Sequence, residues 1–297
     1  MASLKEVRSR ITSVNSTQQI TKAMKMVAAA KLRRAQENIT QFRPYAQKLK
    51  QMLGTVSAGA ETATDSPYKQ ARPVERVLLI VVTSDRGLCG AFNTNVVKGA
   101  LTLIDEKYAA QARSGNVEIM AIGKKGGEAF IRRGFRVNTA HMDVFTSLSF
   151  SRVKAAAEEA MNGFASGQYD AVEIVYNEFR NAAVQIVRTE QMLPIVPTPP
   201  AAAAGSATSV TNYLFEPSEE EIVTELIPKT LKTQLYKAVL DSNASEHGAR
   251  MTAMDKATEN AGELLKELRL VYNRTRQAAI TTEILEIVGG AEALAAA

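Results

Sequence analysis

Residues 4–56 read LKEVRSRITSVNSTQQITKAMKMVAAAKLRRAQENITQFRPYAQKLKQMLGTV, and this stretch decides the fold. Alternating steps of three and four from Leu4 visit Val7, Ile11, Val14, Gln18, Thr21, Lys25, Ala28, Leu32, Ala35, Ile39, Phe42, Ala46, Leu49, Leu53 and Val56. Of these 16 positions 13 are apolar, and the three exceptions are consecutive: Gln18, Thr21 and Lys25. A 3.5-residue period keeps one stripe facing a partner helix along its whole length, so this is a coiled-coil seam. As a helix the stretch spans roughly 80 Å, longer than a globular core helix. Pro44 lies inside it and is expected to kink it.

A second long helix is expected at the other end. Pro217 and the acidic run Glu219-Glu220-Glu221 suit a helix start. The helical pattern continues to about residue 288, roughly 100 Å, with a break or restart at Pro228. Its seam is read through Met254, Ala257, Ala261, Leu264, Leu268, Val271, Thr275, Ala278, Thr282 and Leu285, and Gly289-Gly290 is read as its stop. Charge is divided between the two ends. Residues 1–56 carry 11 Lys+Arg against 2 Asp+Glu, residues 57–214 carry 16 against 15, and residues 215–297 carry 9 against 14. Opposite charge favours pairing of the two helices; the alternative is two solvated faces with unrelated partners.

Between them the period changes. Arg76 to Val82, Val117 to Ile122 and Ala171 to Tyr176 are short apolar runs of the buried-strand type, and Ala183 to Leu193 alternates. Helical stretches at about 93–113, 124–133 and 149–165 separate the first three, which implies βαβ units and a mainly parallel sheet. Residues 57–74 and the Pro/Ala-rich run from Pro197 read as linkers. The fold class is therefore α/β plus a long antiparallel coiled coil, with an inserted Rossmann-like α/β domain. The expected boundaries are 1–56 for the N-terminal helix, 75–196 for the α/β domain, 197–212 for a linker and 213–297 for the C-terminal helix.

The 297-residue chain has one cysteine, Cys89, which excludes an internal disulfide and a cysteine metal cluster; with only His141 and His247, a multi-histidine metal site is not expected. No run of about 20 apolar residues crosses a membrane, and MASLKEVRSRI lacks the apolar core of a signal peptide. These features read as a soluble protein of a reducing compartment. The turn Thr83 to Asn93 follows the first strand, where doubly wound folds bind phosphates, yet it carries neither GxGxxG nor GxxxxGK[ST]. It is read as a nucleotide loop or as a tight strand-to-helix turn. Gly123-Lys124-Lys125-Gly126-Gly127 is read as an anion loop or as a basic helix start. Cys89 is read as a nucleophile or as a small buried thiol. No catalytic, cofactor or metal constellation is found. Two further readings stand beside these: a nucleotide-binding enzyme with a coiled-coil arm, and a nucleic-acid-binding coiled coil resting on the basic first helix.

Several strings resemble the gamma-subunit family of the F-type ATP synthases. They are Ile11 to Val14 followed by Thr17 to Ala29; Ser84-Asp85-Arg86-Gly87-Leu88-Cys89-Gly90; Ser245 to Met254; and Tyr272 to Ile284. The resemblance covers nearly the whole chain, in order. It implies a central rotor shaft: an antiparallel coiled coil whose tip turns inside a hexamer of alternating alpha and beta subunits, with catalysis on the beta subunits. The partners implied are those subunits, the epsilon subunit and the c-ring, with no nucleic acid and no cofactor. Met24 and Lys25 match the place that meets an acidic beta-subunit loop, where Lys25 makes charge-assisted contacts. The polar break at Gln18, Thr21 and Lys25 then reads as a seam facing partners as well as its mate, or as a register discontinuity. Arg250, Gln277, Thr281 and Glu283 match polar positions touching the catalytic head, with surface solvation as the alternative. Tyr213 and Glu216 match the foot near the c-ring and epsilon, and Leu285 to Ala297 match the end seated in an apolar sleeve. Chloroplast members carry a regulatory cysteine pair, which one cysteine cannot form. The resemblance, with no transit peptide, implies a peripheral protein on the cytoplasmic face of a bacterial membrane, or else a mature mitochondrial chain on the matrix side.

Overall fold

The apolar runs of the middle segment become the core of one sheet. In the computed structural model, which describes residues 3–59, 67–195 and 219–295, the elements follow in the order α1 (Leu4–Gly59), β1 (Val77–Val82), α2 (Phe92–Lys107), α3 (Ala109–Arg113), β2 (Val117–Ile122), α4 (Lys124–Ile131), β3 (Arg136–Asn138), a 3-10 turn (Val144–Ser147), α5 (Phe150–Ala165), β4 (Ala171–Phe179), β5 (Gln185–Leu193) and α6 (Glu219–Ala295). The strand order is β3-β2-β1-β4-β5. β1 lies between β2 and β4, parallel to both, with Val77 opposite Val117 and Ala171. β3 adds in parallel to β2, and β5 closes the other edge antiparallel to β4.

All six residues of β1 are buried, as a central strand covered on both faces requires. Its side chains alternate between two cores. Leu78, Ile80 and Val82 face Val153, Ala157 and Phe164 of α5 together with Ile227, Leu231 and Leu235 of α6. Val77, Leu79 and Val81 face Val96, Val97 and Ile104 of α2 and Phe130 of α4. The three-residue β3 was not among the expected strands, since Arg136-Val137-Asn138 has too few residues to show a period.

Residues 29–250 form one compact unit, and residues 1–28 with 251–297 a second. In the first unit α6 is buried on most of its circumference: Leu231, Thr233, Leu235, Ala238, Val239, Asp241, Ser242, Ser245 and Glu246 are all buried. There α1 packs on α6, with the Phe42 ring edge-on to Tyr236 at 5.0 Å and Arg43 paired to the buried Asp241 at 3.3 Å. α6 runs through Pro228 and past Gly289-Gly290 to Ala295, so neither the break nor the stop occurs. Beyond the glycines the chain continues Ala-Glu-Ala-Leu-Ala, all strong helix formers. α1 likewise runs unbroken through Pro44.

In the second unit the helices are antiparallel. Lys25 pairs with Asp255 at 2.5 Å, and the hydroxyls of Thr21 and Thr258 lie 2.8 Å apart. Gln18 donates to the Thr258 carbonyl at 3.4 Å. Along α1, each expected seam residue from Leu4 to Leu49 is buried or half-buried. Along α6 the expected alternation of steps is inverted. Leu264 and Val271 are 43% and 44% exposed, whereas Leu265 is 5% exposed, and Thr258 and Tyr272 are half-buried. The inward line is therefore Met254, Thr258, Ala261, Leu265, Leu268, Tyr272 and Thr275. In this register the start of α1 at Leu4 falls opposite Thr275. Every described side chain from Arg276 to Leu294 is exposed.

Candidate functional site

The described residues expected to meet other subunits fall into two groups, one in each unit. In the unit of residues 1–28 and 251–297, Met24 and Lys25 are half-buried at the polar interruption of the seam. Lys25 reaches Asp255 while both side chains stay open to solvent, 41% and 58% exposed, so the ammonium keeps donors free for another acid. Gln277, Thr281 and Glu283 are exposed on the length of α6 that extends past the start of α1. The Thr281 hydroxyl donates back to the Gln277 carbonyl at 2.9 Å, leaving the Gln277 amide to the outside. Ile280, Ile284, Leu285 and Ile287 share this length, and Ile287 is 72% exposed. Such a run of bare apolar side chains on one helix marks a surface that a partner covers.

Arg250 belongs to the other unit and is differently placed. Its side chain is only 12% exposed. The guanidinium pairs with Glu246 one turn earlier at 2.5 Å, donates to the Arg86 carbonyl at 3.3 Å and donates to the Gly87 carbonyl. Burial pushes the Glu246 carboxyl above its ordinary range, and the Arg250 bond opposes that rise. His247, beside them, is pushed down to about 4 by burial and by the charges of Lys31 and Arg250. Tyr213 and Glu216 lie outside the described residues.

The turn from Thr83 to Asn93 is filled by its own polar groups. Asn93 Oδ1 accepts from the Ser84 backbone N–H at 2.9 Å, and its amide donates to Ser84 Oγ at 2.7 Å and to Cys89 Sγ at 3.3 Å. Cys89 is 1% exposed against Phe92 and Ala249, and burial raises its thiol pKa. An activated thiolate needs the opposite shift; Cys89 is a small buried thiol. The basic loop behind β2 is equally occupied. At the start of α4, the Lys124 N–H donates to Asp85 Oδ1 at 3.3 Å, Lys125 N–H to the Ser84 carbonyl at 3.0 Å, and Gly126 N–H to Thr83 Oγ1 at 2.8 Å. A phosphate at this helix end would have to displace all three. Gly123 makes the turn possible: its φ is +96°, and a Cβ there would stand 2.1 Å from the Thr83 carbonyl oxygen. Among the described residues no group of three or more His, Cys, Asp or Glu is arranged to hold a metal ion, and no helix is long and apolar enough to cross a membrane.

The partners Asp255, Glu246 and Asn93 were not expected from the sequence. Asn93 could have been found, since an Asn at the start of a helix after a turn satisfies the turn's free N–H groups; the other two join residues 230 and 4 positions away with no distinguishing motif.

The family model described as ATP synthase matches residues 3–294. The ATP synthase gamma chain of Cytophaga hutchinsonii is 60% identical over 294 residues, 99% of each chain. That of Flavobacterium johnsoniae is 54% identical over the same share. Among solved structures, a chain of the Tetrahymena thermophila mitochondrial ATP synthase central stalk and c-ring is 25% identical with a TM-score of 0.57, over 80% of this chain and 99% of that one. A chain from the Euglena gracilis mitochondrial ATP synthase is similar in fold, with a TM-score of 0.66 at 23% identity over 98% and 94% of the two chains. On a full-length match at this identity, the chain belongs to the ATP synthase gamma-chain family.

Proposed function

We propose that this chain is the central rotor shaft of an F-type ATP synthase. It turns inside a hexamer of alternating alpha and beta subunits and couples transmembrane proton flow to ATP synthesis, or ATP hydrolysis to the reverse flow. The observation that carries this reading is the 60% identity, end to end, with a chain named ATP synthase gamma chain. The shaft supplies no catalytic group of its own; the chemistry belongs to the hexamer, and an asymmetric shaft drives each beta subunit in turn through different nucleotide affinities. The geometry supports this division of labour. The start of α4, a helix end that fold-level analogy would give to an anion, is held by Thr83, Ser84 and Asp85, while the exposed apolar length of α6 is left open for other subunits.

On this reading Met24, Lys25, Arg250, Gln277, Thr281 and Glu283 serve the engagement of rotor and hexamer. Tyr213 and Glu216 belong to the foot, near the epsilon subunit and the c-ring. The exposed apolar length of α6 up to Leu294 sits in the apolar sleeve of the hexamer, where few charges keep the contact smooth. The chain is peripheral to the membrane, on its cytoplasmic face in a bacterium. Purifying the tagged chain from its native membranes tests the reading. Alpha and beta subunits should come with it, together with ATPase activity. Recovery of the chain alone, or with nucleic acid, would overturn it.

A further inference from the structure

The carboxyl of Asp241 is buried at a cost that its surroundings repay only in part. Its side chain is 1% exposed on α6, and among the described residues Oδ2 has no hydrogen-bond partner. Oδ1 accepts from Arg43 Nη2 of α1 at 3.3 Å, longer than the usual N–H to oxygen distance. Burial pushes the carboxyl above its ordinary range; Arg43 and Lys237 oppose the rise, and Glu178 adds to it. Such a pair is a poor device for stability, since apolar groups of the same shape would serve as well or better. What it can set is register.

The neighbours show which register. The same Arg43 nitrogen donates to the Phe179 carbonyl, at the end of β4, at 3.4 Å. That end is already fixed on α6. Ser245 Oγ donates to the Asn177 carbonyl at 3.1 Å, and Gly248 lets the Ala182 backbone approach so closely that a Cβ would stand 3.2 Å from it. Along α1 the packing nearby is apolar: Ala35, Ile39 and Leu49 are buried, and Phe42 lies edge-on to Tyr236. Apolar stripes of repeating spacing fit in more than one register, and a polar contact at one position selects among them at a cost in stability. We propose that Arg43 is a positioning residue for rotor coupling: it pins α1 to the end of β4 and to Asp241 of α6, so that both helices turn with the α/β domain as one body. This rests on the rotor reading above.

The test compares wild type with Arg43→Met, Arg43→Lys and the pair Arg43→Met with Asp241→Leu. Three quantities are read: the denaturant midpoint of the full chain, the spread of distances between spin labels at Lys48→Cys on α1 and Arg180→Cys after β4, and protons pumped per ATP hydrolysed by the assembled synthase. Both label positions are exposed, and native Cys89, 1% exposed, is shielded from labelling. Arg43→Met leaves the Asp241 charge buried without its counter-charge and should lower the midpoint. The double variant should regain the wild-type midpoint or exceed it. Its label distances should nevertheless spread about twofold wider, and its pumping ratio should stay at least about twofold below wild type. Arg43→Lys keeps the charge on a shorter reach and should fall between in all three. Pumping that recovers with the midpoint in the double variant overturns the proposal, because Arg43 would then serve stability alone. A double variant no more stable than Arg43→Met overturns it too. So does a narrow distance distribution with reduced pumping, which would make Arg43 itself the contact with another subunit. A wild-type chain that neither assembles nor pumps sinks the rotor reading first, while midpoint and label distances still decide the register.

Discussion

The hydroxyl of Thr258 lies 2.8 Å from that of Thr21, which in turn donates to the Gln18 carbonyl at 3.0 Å. This places a small polar layer inside an otherwise apolar seam. Its energetic role is asymmetric. Thr21→Val alone leaves the Thr258 hydroxyl only its own-helix acceptor, the Met254 carbonyl at 2.8 Å, and should cost about 0.5–1 kcal/mol, and Thr258→Val, which leaves Thr21 its Gln18 carbonyl, a similar amount. The double replacement removes both polar groups and should be near neutral. Denaturant unfolding of the four chains gives the coupling energy directly. Additive losses would show that the two hydroxyls do not act as a pair.

Lys25 and Asp255 form an ion pair in which both side chains remain 41% or more exposed, so the pair contributes at most about 1 kcal/mol to stability. Lys25→Glu should therefore impair coupling far more than folding. The charge swap Lys25→Glu with Asp255→Lys restores an internal pair and should bring stability back to within about 0.5 kcal/mol of wild type. On the proposed contact of Lys25 with an acidic partner loop, protons pumped per ATP should stay low in the swap, because that loop would meet the wrong sign. Recovery of pumping in the swap would mean that Lys25 works through Asp255 alone.

Gly123 combines a φ of +96° with a Cβ position 2.1 Å from the Thr83 carbonyl oxygen. Gly123→Ala must both enter a disfavoured conformation and displace the end of β1, the central strand. A loss of about 3 kcal/mol or more is expected, read as a lower denaturant midpoint. A variant as stable as wild type would show that the turn relaxes freely.

His247 titrates at about 4 in the fold because burial, then the charges of Lys31 and Arg250, disfavour its imidazolium; an unfolded histidine titrates near 6.5. Between those values the unfolded chain takes up a proton that the folded chain refuses. The stability His247 permits is thus complete above about 6.5 and falls as pH drops toward 4, by up to about 1 kcal/mol per pH unit. Buried Asp241 and Glu246, whose carboxyl pKa values are raised mainly by burial, act in the opposite sense. The comparison that isolates the histidine is wild type against His247→Gln across this range. The variant should gain on wild type as pH falls; a constant difference would contradict the assignment.

The sheet and the first helix were legible because each had a single period to read. The apolar run read from Arg76 to Val82 contains β1, which begins one residue later, and the run 117–122 coincides with β2, and the seam from Leu4 to Leu49 points inward throughout its described length. The second helix was misread for a physical reason. Leu264, Leu265, Leu268, Leu270 and Val271 place apolar groups on adjoining faces, and which face turns inward is settled by Gln18 and Thr21 on the other helix. Where α6 is buried nearly all round, between Ile227 and Ala249, no stripe exists to be found. Arg250 was legible only as part of a familiar string; its grip on Gly87 joins residues 163 positions apart, which no local pattern encodes.

Among the described residues no second helix runs beside the length of α6 past Thr275, and at about 1.5 Å per residue its 20 residues reach roughly 30 Å. A lone helix twists far more easily than two that interlock. Torque applied near its tip would be lost in winding the helix rather than passed along it. The tip is therefore suited to be a pivot, whose task is to stay centred, while the driving leverage acts farther down, where two helices share the strain.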